Sequence, residues 1–181
     1  MRRVVVIGST GSGKSRFAQS LAADLHVPYV DTDDLFWEPG WVEVHNDVFR
    51  QRLDEASSGD AWVIAGNYLG RAVDITWPRA DTLVWLDLPL PLVLYRSITR
   101  TIRRGITKEV VCNGNTEKLR YVLPYPGGEK PLWVYAIGFY RTQRARIVAL
   151  LADHPHLQVH RLTSRAEVAR FLAAARPPQS A

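Results

Sequence analysis

Near the amino terminus, a run of consecutive residues fits the pattern G-x-x-x-x-G-K-[ST] at every fixed position: Gly8, Ser9, Thr10, Gly11, Ser12, Gly13, Lys14 and Ser15. The glycines let the backbone curl so that successive N–H groups can point at phosphate oxygens. Lys14 can neutralise the β and γ phosphates of a nucleotide, and the Ser15 hydroxyl can bind Mg²⁺. We expect this phosphate loop (residues 8–15) to bind ATP with Mg²⁺, although a loop that contacts phosphates leaves the base undetermined.

An acidic turn follows the second apolar run of the sequence, where Val30 precedes Asp31, Thr32, Asp33 and Asp34. In open parallel sheets, ligands bind beyond the carboxyl ends of the strands, so this turn should lie near the phosphate loop. A carboxylate there could hold Mg²⁺ through water, or orient and deprotonate an acceptor hydroxyl. The alternative is that the aspartates only cap the next helix. We favour a functional role, and for Asp33 first.

Two pairs of arginines have helical spacing, Arg96 with Arg100 and Arg141 with Arg144. Phosphoryl transfer depends mainly on positioning and on cations around the equatorial oxygens of the transferring group. The planar fork of donors on arginine suits that task. We expect these four residues to be catalytic, and the alternative is that they lie on solvated helix faces.

The elements that must position these residues alternate between strands and helices, which predicts a mostly parallel sheet with helices on both faces. We expect one domain over residues 1–181. Prolines and glycines interrupt the pattern at about residues 101–130, a polar and basic segment, where we expect a mobile lid. The predicted strands are residues 4–7, 29–30, 62–65, 82–88 and 157–162, and the predicted helices are one that follows the phosphate loop and residues 48–56, 91–104, 132–151 and 165–175.

The amino-acid composition limits the classes of protein to which this chain could belong. Hydrophobic residues make up 46% of the chain, enough for a full core, and the net charge is +5, which suits anionic partners. The single cysteine, Cys112, excludes an intrachain disulfide and a cysteine-rich zinc site. The apolar run at residues 4–7 is too short for a secretory core or a membrane span. We expect a cytoplasmic protein with no membrane partner.

Several segments together resemble one superfamily. Residues 11–34, with Asp31-Thr32-Asp33 after the first helix, resemble the opening of nucleoside-monophosphate kinases and of shikimate and gluconate kinases. The stretch 84–89, followed by Arg96 and Arg100, resembles the part of adenylate kinases in which two arginines border the lid. The chain is most similar to the adenylate-kinase-related group labelled DNA topology modulation proteins, through Trp37, the Pro39-Gly40-Trp41 turn and Gly66-Asn67-Tyr68.

This resemblance implies an α/β fold of the P-loop NTPase type. It would have three αβα layers, a five-stranded parallel sheet of nucleoside-monophosphate-kinase type and a small lid. It also implies that a set of residues surrounds the acceptor: Asp31, Asp33, Trp37, Gly66 and Asn67. The alternative for Trp37 is that it packs its loop onto the domain, and the alternative for Asn67 is a plain turn role.

Two departures from the family patterns affect the expected site. Ala65-Gly66 stands where adenylate kinases carry Asp-Gly, so the part of the missing carboxylate in holding Mg²⁺ falls to Asp31, Asp33 or Asp87. Gly66-Asn67-Tyr68 is not the triple glycine of shikimate kinases, which argues against shikimate as the acceptor.

We therefore expect an ATP-dependent phosphotransferase that moves the γ-phosphoryl group to a small acceptor such as a nucleotide, nucleoside or sugar-like molecule. Lys14 and the arginines would stabilise the transferring group, Asp33 would act on the acceptor, and Ser15 with Asp33 would hold Mg²⁺. The basic charge leaves an alternative, a nucleotide-dependent regulatory or DNA-associated binding protein. A plain NTPase is a further alternative.

Overall fold

The chain builds a five-stranded, all-parallel sheet with helices on both faces. The computed structural model describes residues 1–119, 122 and 131–176. The strands β1 (Arg3–Gly8), β2 (Tyr29–Asp31), β5 (Trp62–Ala65), β6 (Thr82–Leu86) and β9 (Gln158–Leu162) lie in the order β2-β5-β1-β6-β9. The α/β fold expected from the alternation of strands and helices is confirmed.

The helices occupy two layers. They are α1 (Lys14–Leu25), α2 (Thr32–Phe36), α3 (Asn46–Ala56), α4 (Val73–Thr76), α5 (Leu90–Thr107), α6 (Leu132–Gly138), α7 (Arg144–Ala152) and α8 (Arg165–Ala175). A π-helix at Phe139–Gln143 joins α6 to α7, so the helix predicted over residues 132–151 changes its winding at its centre. The wider π turn changes the angular spacing of the side chains that it carries, among them Arg141.

Two short antiparallel hairpins were not predicted from the sequence. One pairs β3 (Trp37–Glu38) with β4 (Val42–Glu43), and the other pairs β7 (Val110–Val111) with β8 (Asn115–Thr116). Strands of two residues cannot show the alternation that reveals a strand. The second hairpin lies in the segment expected to be a lid, whose residues 120, 121 and 123–130, including Arg120, lie outside the described residues.

The central strands are apolar on both sides because helices cover both faces of the sheet. On one face, Val4 and Val6 of β1 pack with Phe17 and Leu21 of α1, and α8 packs against this cluster. On the other face, side chains of β1, β5 and β6 pack with residues of α3, α4 and α7: Val5, Ile7, Trp62, Ile64, Leu83, Trp85, Phe49, Leu53, Val73 and Ile147.

The register brings the expected site residues to one edge of the sheet. Gly8, the last residue of β1, pairs with Leu86 at the end of β6, and Asp31 of β2 pairs with Ala65 at the end of β5. The phosphate loop, the acidic turn and the residues that follow β5 and β6 therefore share the carboxyl edge of the sheet, where ligands bind in folds of this type.

Gly66 has no room for a side chain. A Cβ there would overlap the Thr32 hydroxyl and lie 2.8 Å from the Thr32 Cβ. The hydroxyl is fixed because it donates to the Ala65 carbonyl at 3.0 Å. We therefore expect Gly66→Ala to lower the free energy of unfolding by about 2–3 kcal/mol, measured by urea denaturation. Gly59→Ala, whose Cβ would meet only the Ala61 carbonyl at 3.9 Å, is the matched control. Equal stability of the two variants would contradict this account.

Candidate functional site

The phosphate loop curls tightly between β1 and α1. Gly11 and Gly13 have φ angles of 87° and 90°, in the left-handed region that favours glycine. Ser12 N–H donates to the Ser9 carbonyl at 3.0 Å and closes the turn. A Cβ on Gly11 would lie 2.5 Å from the Val93 carbonyl of α5, so this position also admits no side chain. The sequence pattern of the loop thus has a steric cause in the structure.

Asn67 holds the first residue of the loop. The Gly8 N–H donates to Asn67 Oδ1 at 3.0 Å, and Asn67 Nδ2 donates to the Gly8 carbonyl. One side-chain amide therefore satisfies both polar groups of the same residue. We expected Asn67 beside the acceptor. The structure places it where it can orient the phosphate loop as well.

The acidic turn combines a helix cap with a free carboxylate edge. Asp31 Oδ1 accepts from the Asp33 N–H at 3.1 Å and caps α2, and Asp31 Oδ2 accepts from the Tyr29 hydroxyl at 2.8 Å. Asp33 Oδ1 accepts from the Tyr68 hydroxyl at 2.9 Å. Both carboxylate oxygens of Asp31 thus accept hydrogen bonds that stabilise the fold, whereas among the described residues Asp33 accepts only the bond from the Tyr68 hydroxyl.

The electrostatic field around the turn is negative. Burial first, and then the charge of Asp31, raises the pKa of Tyr29. Burial and then the charge of Asp33 raise the pKa of Tyr68, and the same two causes raise the pKa of the Cys112 thiol to about 12. Both phenols therefore remain protonated at neutral pH and act as hydrogen-bond donors to the carboxylates.

An open cleft joins the phosphate loop to the acidic turn. Its volume is about 180 Å³, and it is lined by Thr10, Lys14, Asp33, Asn67 and Tyr68. Lys14 and Asp33, predicted for opposite roles in one reaction, therefore face a common space.

Arg96 and Arg100 of α5 approach the loop and the turn in different ways. Arg96 Nη1 donates to the Ser12 carbonyl at 3.3 Å. Burial lowers the pKa of Arg100, and the nearby carboxylates of Glu117 and Asp33 oppose this effect. The Arg100 Nε–H is buried without a hydrogen-bond partner among the described residues, which leaves a donor available.

Arg144 is paired with a carboxylate. Its Nη2 and Nε donate to Asp87 Oδ2 at 2.5 and 3.2 Å, and this hydrogen bond raises the pKa of Arg144. Arg161 donates to the same oxygen through Nε and Nη2, at 2.8 and 2.6 Å. Arg141 is exposed on the π-helix. Asp87, an alternative Mg²⁺ ligand in the sequence analysis, is thus occupied by two guanidinium groups.

Trp37 lies in the first hairpin, where its ring packs edge-to-face on Trp41 at a centroid distance of 5.6 Å. The second hairpin holds this turn by side-chain amides. Asn113 Nδ2 donates to the Asp34 and Trp37 carbonyls, each at 2.7 Å. Asn115 accepts from the Trp41 N–H at 2.8 Å and donates to the Glu38 carbonyl at 2.9 Å.

We expect Asn115→Ala to release the second hairpin from the first. The change leaves the Trp41 N–H and the Glu38 carbonyl without the partners they have in the structure, and unpaired polar groups are costly where water is scarce. Amide hydrogen exchange over residues 110–116 should become about 10-fold to 100-fold faster. Asn46→Ala, at an exposed position of α3, should leave that exchange unchanged. Protection equal to that of the parent would show that the asparagine does not hold the hairpin.

The loop has the properties that a nucleotide phosphate requires. Gly13 caps α1 with no side-chain hydrogen bond, and the first turn of α1 carries no acidic residue, so the N–H groups of this turn are available to an anion. The buried Ser12 hydroxyl has no partner among the described residues. These features fit the phosphates of ATP.

The oxygen donors at the same edge fit Mg²⁺. Ser15 lies beside the Tyr29 hydroxyl, which donates to Asp31, and Asp33 lines the cleft. Mg²⁺ prefers oxygen ligands and keeps several waters, so one or two carboxylates with the phosphates suffice. The described residues contain no group of three or more His, Cys, Asp or Glu side chains that could hold a metal unaided.

Three residues at the site were missed as functional candidates. Tyr68 and Tyr29 donate to the two aspartates, and Arg161 shares Asp87 with Arg144. Tyr68 stands three residues after β5, so a polar residue near a strand's carboxyl end was an available signal. The sequence carried no such signal for Arg161, because its partner Asp87 is 74 residues away in the chain.

In the part of the chain that the structure describes, no helix has the length and apolar character of a membrane span.

Comparisons with known proteins agree with this geometry. No protein-family model matches the chain. Adenylate kinase 1 of Nostoc sp. (strain PCC 7120) is 24% identical over 139 residues, which cover 61% of this chain and 75% of that protein. Shikimate kinase from Acinetobacter baumannii, solved in complex with shikimate, superposes with a TM-score of 0.58 and 17% identity over 96% of this chain and 90% of that one. For shikimate kinase from Aquifex aeolicus the TM-score is 0.55 and the identity 19%, over 96% and 95% of the two chains. The chain therefore has the P-loop NTPase fold of the kinase type.

Proposed function

We propose that the protein is an ATP-dependent and Mg²⁺-dependent phosphotransferase that moves the γ-phosphoryl group to a small acceptor. The observation that carries this proposal is the cleft that both Lys14 and Asp33 line. A nucleotide-binding loop alone would fit any NTPase. A carboxylate across the same cleft is what a second substrate needs.

The donor half of the reaction rests on the phosphate loop. The N–H groups at the start of α1 bind phosphate oxygens, and Lys14 places its charge on the β and γ phosphates. Arg96, which contacts the phosphate loop, and Arg100, whose pKa responds to Asp33, would act on the transferring group. Ser15 would bind Mg²⁺ directly and Asp33 through a water molecule, and the ion would neutralise charge on the phosphates.

The acceptor half rests on Asp33. Tyr68 fixes one carboxylate oxygen, so the other can accept a hydrogen bond from an acceptor hydroxyl and take its proton as the phosphoryl group arrives. Trp37 and Gly66, which are not among the residues that line the cleft, are expected to contact the acceptor. The adenylate and shikimate kinases that the chain resembles act on different acceptors, so we leave the acceptor as a nucleotide, nucleoside or sugar-like molecule. Shikimate itself is disfavoured, because Asn67 and Tyr68 stand in place of a triple glycine.

Two arginines of the basic segment that suggested a nucleic-acid partner are paired with carboxylates of the same segment. Arg103 pairs with Glu109 at 2.8 Å, and Arg104 pairs with Glu117 at 2.8 Å. This neutralisation favours the kinase over the DNA-associated alternative, since phosphate binding in DNA requires unpaired cations. Our proposal therefore includes no DNA-binding role, although the sequence resembles the group labelled DNA topology modulation proteins.

The test is an acceptor screen with ATP and Mg²⁺. Nucleosides, nucleoside monophosphates, sugars and sugar acids are added singly, and ADP release is compared with the rate in buffer. We expect at least one class to raise ADP release by about tenfold or more and to yield a phosphorylated product by mass spectrometry. Absence of stimulation by every class would leave plain hydrolysis as the activity and contradict the proposal.

A further inference from the structure

A second arginine shares the carboxylate that holds Arg144. The Asp87 side chain is 3% exposed, and its Oδ2 atom accepts hydrogen bonds from both Arg144 and Arg161. Each guanidinium also lies over an aromatic ring, Arg144 over Tyr140 at 4.4 Å and Arg161 over Trp85 at 4.7 Å. One buried negative charge thus faces two positive charges.

Because two guanidinium groups share one carboxylate, less free energy is needed to move one of them away. A guanidinium that is the sole partner of a buried carboxylate is hard to remove, because its departure leaves an uncompensated buried charge. Here the carboxylate stays paired when either arginine leaves. The group that leaves also escapes repulsion from its neighbour.

The two arginines are not equivalent in position. Arg161 lies within β9, where it pairs in register with Trp85 of the neighbouring strand. Arg144 is the first residue of α7 and follows the π-helix directly. Asp87 comes one residue after Leu86, whose carbonyl lies 2.9 Å from where a Cβ of Gly8 would be. The backbone before Asp87 therefore adjoins Gly8, the first residue of the phosphate loop, while the Asp87 side chain contacts Arg144 and Arg161.

We propose that Arg161 is a positioning residue that remains on Asp87 and thereby allows Arg144 to move to the transferring phosphoryl group. This inference rests on the proposed phosphotransfer. Arg144 stays on Asp87 when no phosphate is present. It exchanges a shared carboxylate for the phosphoryl oxygens when the substrates bind.

The test compares the rates of Lys14-dependent ATP turnover in matched variants. Arg161→Leu should slow turnover about tenfold or more, because Arg144 becomes the sole partner of Asp87. Arg161→Lys should retain at least a third of the parent rate. Adding Asp87→Asn to Arg161→Leu should raise the rate again about fivefold or more, because the neutral amide no longer holds Arg144. Arg170→Leu removes the same charge from an exposed site and should have no effect.

A purely structural ion cluster predicts the opposite result for the double variant, since each loss would add to the other. The inference is overturned if Arg161→Leu stays within twofold of the parent, or if the double variant is no faster than the single one. Should Arg161→Leu fail to fold, Arg161→Gln replaces it in both comparisons. Melting temperatures measured for every variant separate a change in rate from a loss of folded protein.

A second measurement does not depend on turnover. The ¹⁵N-labelled Nε–Hε signals of Arg144 and Arg161 are followed on addition of ADP, Mg²⁺ and fluoroaluminate. We expect the Arg144 signal to shift and that of Arg161 to stay. Movement of both signals, or of neither, overturns the inference. If the parent shows no Lys14-dependent turnover, the proposed function fails instead, and this measurement alone decides the role of Arg161.

Discussion

Replacing Lys14 with alanine is expected to lower ATP turnover about 10³-fold or more, equivalent to about 4 kcal/mol of lost transition-state stabilisation. The ammonium group is the cation that lines the cleft beside the phosphate loop. Neither neighbouring arginine occupies the position of this ammonium group, because Arg96 donates to the Ser12 carbonyl and the Arg100 Nε–H is buried on α5. The rate is measured by ADP release at saturating ATP and Mg²⁺.

The same variant should keep its fold. Within the described residues the Lys14 side chain donates no hydrogen bond, so its truncation removes no contact that the core needs. The melting temperature should therefore match that of the parent. The affinity for ATP, measured by calorimetry, should be lower. Arg170→Ala, which removes a cation from α8, should change neither quantity. Retention of more than a tenth of the parent rate in Lys14→Ala would exclude the loop as the site of turnover.

Local features of the site could be predicted because each depends on a few neighbouring residues. The phosphate loop could be predicted because its curled backbone requires Gly11, Gly13 and Lys14 at fixed spacing. The acidic turn could be predicted only in part. The sequence predicted that Asp31 and Asp33 lie near the loop, but only the structure shows that Asp31 is the residue that caps the helix.

Features that depend on distant pairing could not be predicted. Asp87 meets Arg144 and Arg161 only because β6 and β9 are neighbours in the sheet and α7 begins beside them. The contact between the two hairpins is of the same kind, because Asn115 and Trp41 are 74 residues apart. Sequence periodicity carries no information about which turns face one another.

Asp33→Asn is expected to lower phosphoryl transfer to the acceptor about 10²-fold to 10⁴-fold and to change ATP affinity less than about threefold. The amide keeps the shape of the side chain and can still accept from the Tyr68 hydroxyl. It loses the charge and basicity needed to orient the acceptor hydroxyl and take its proton. Because Asp31 caps α2, the exchange also spares the helix.

The measurement separates transfer from binding. Product formation is followed with the acceptor identified in the screen, and ATP affinity is measured by calorimetry in the absence of acceptor. Asp34→Asn removes a neighbouring charge from the same turn, and Asp34 is not among the residues that line the cleft, so transfer should continue at close to the parent rate. Loss of ATP binding in proportion to transfer would assign Asp33 to the donor half of the site. Transfer within threefold of the parent would remove Asp33 from the reaction, because a carboxylate that acts on the acceptor cannot be dispensable.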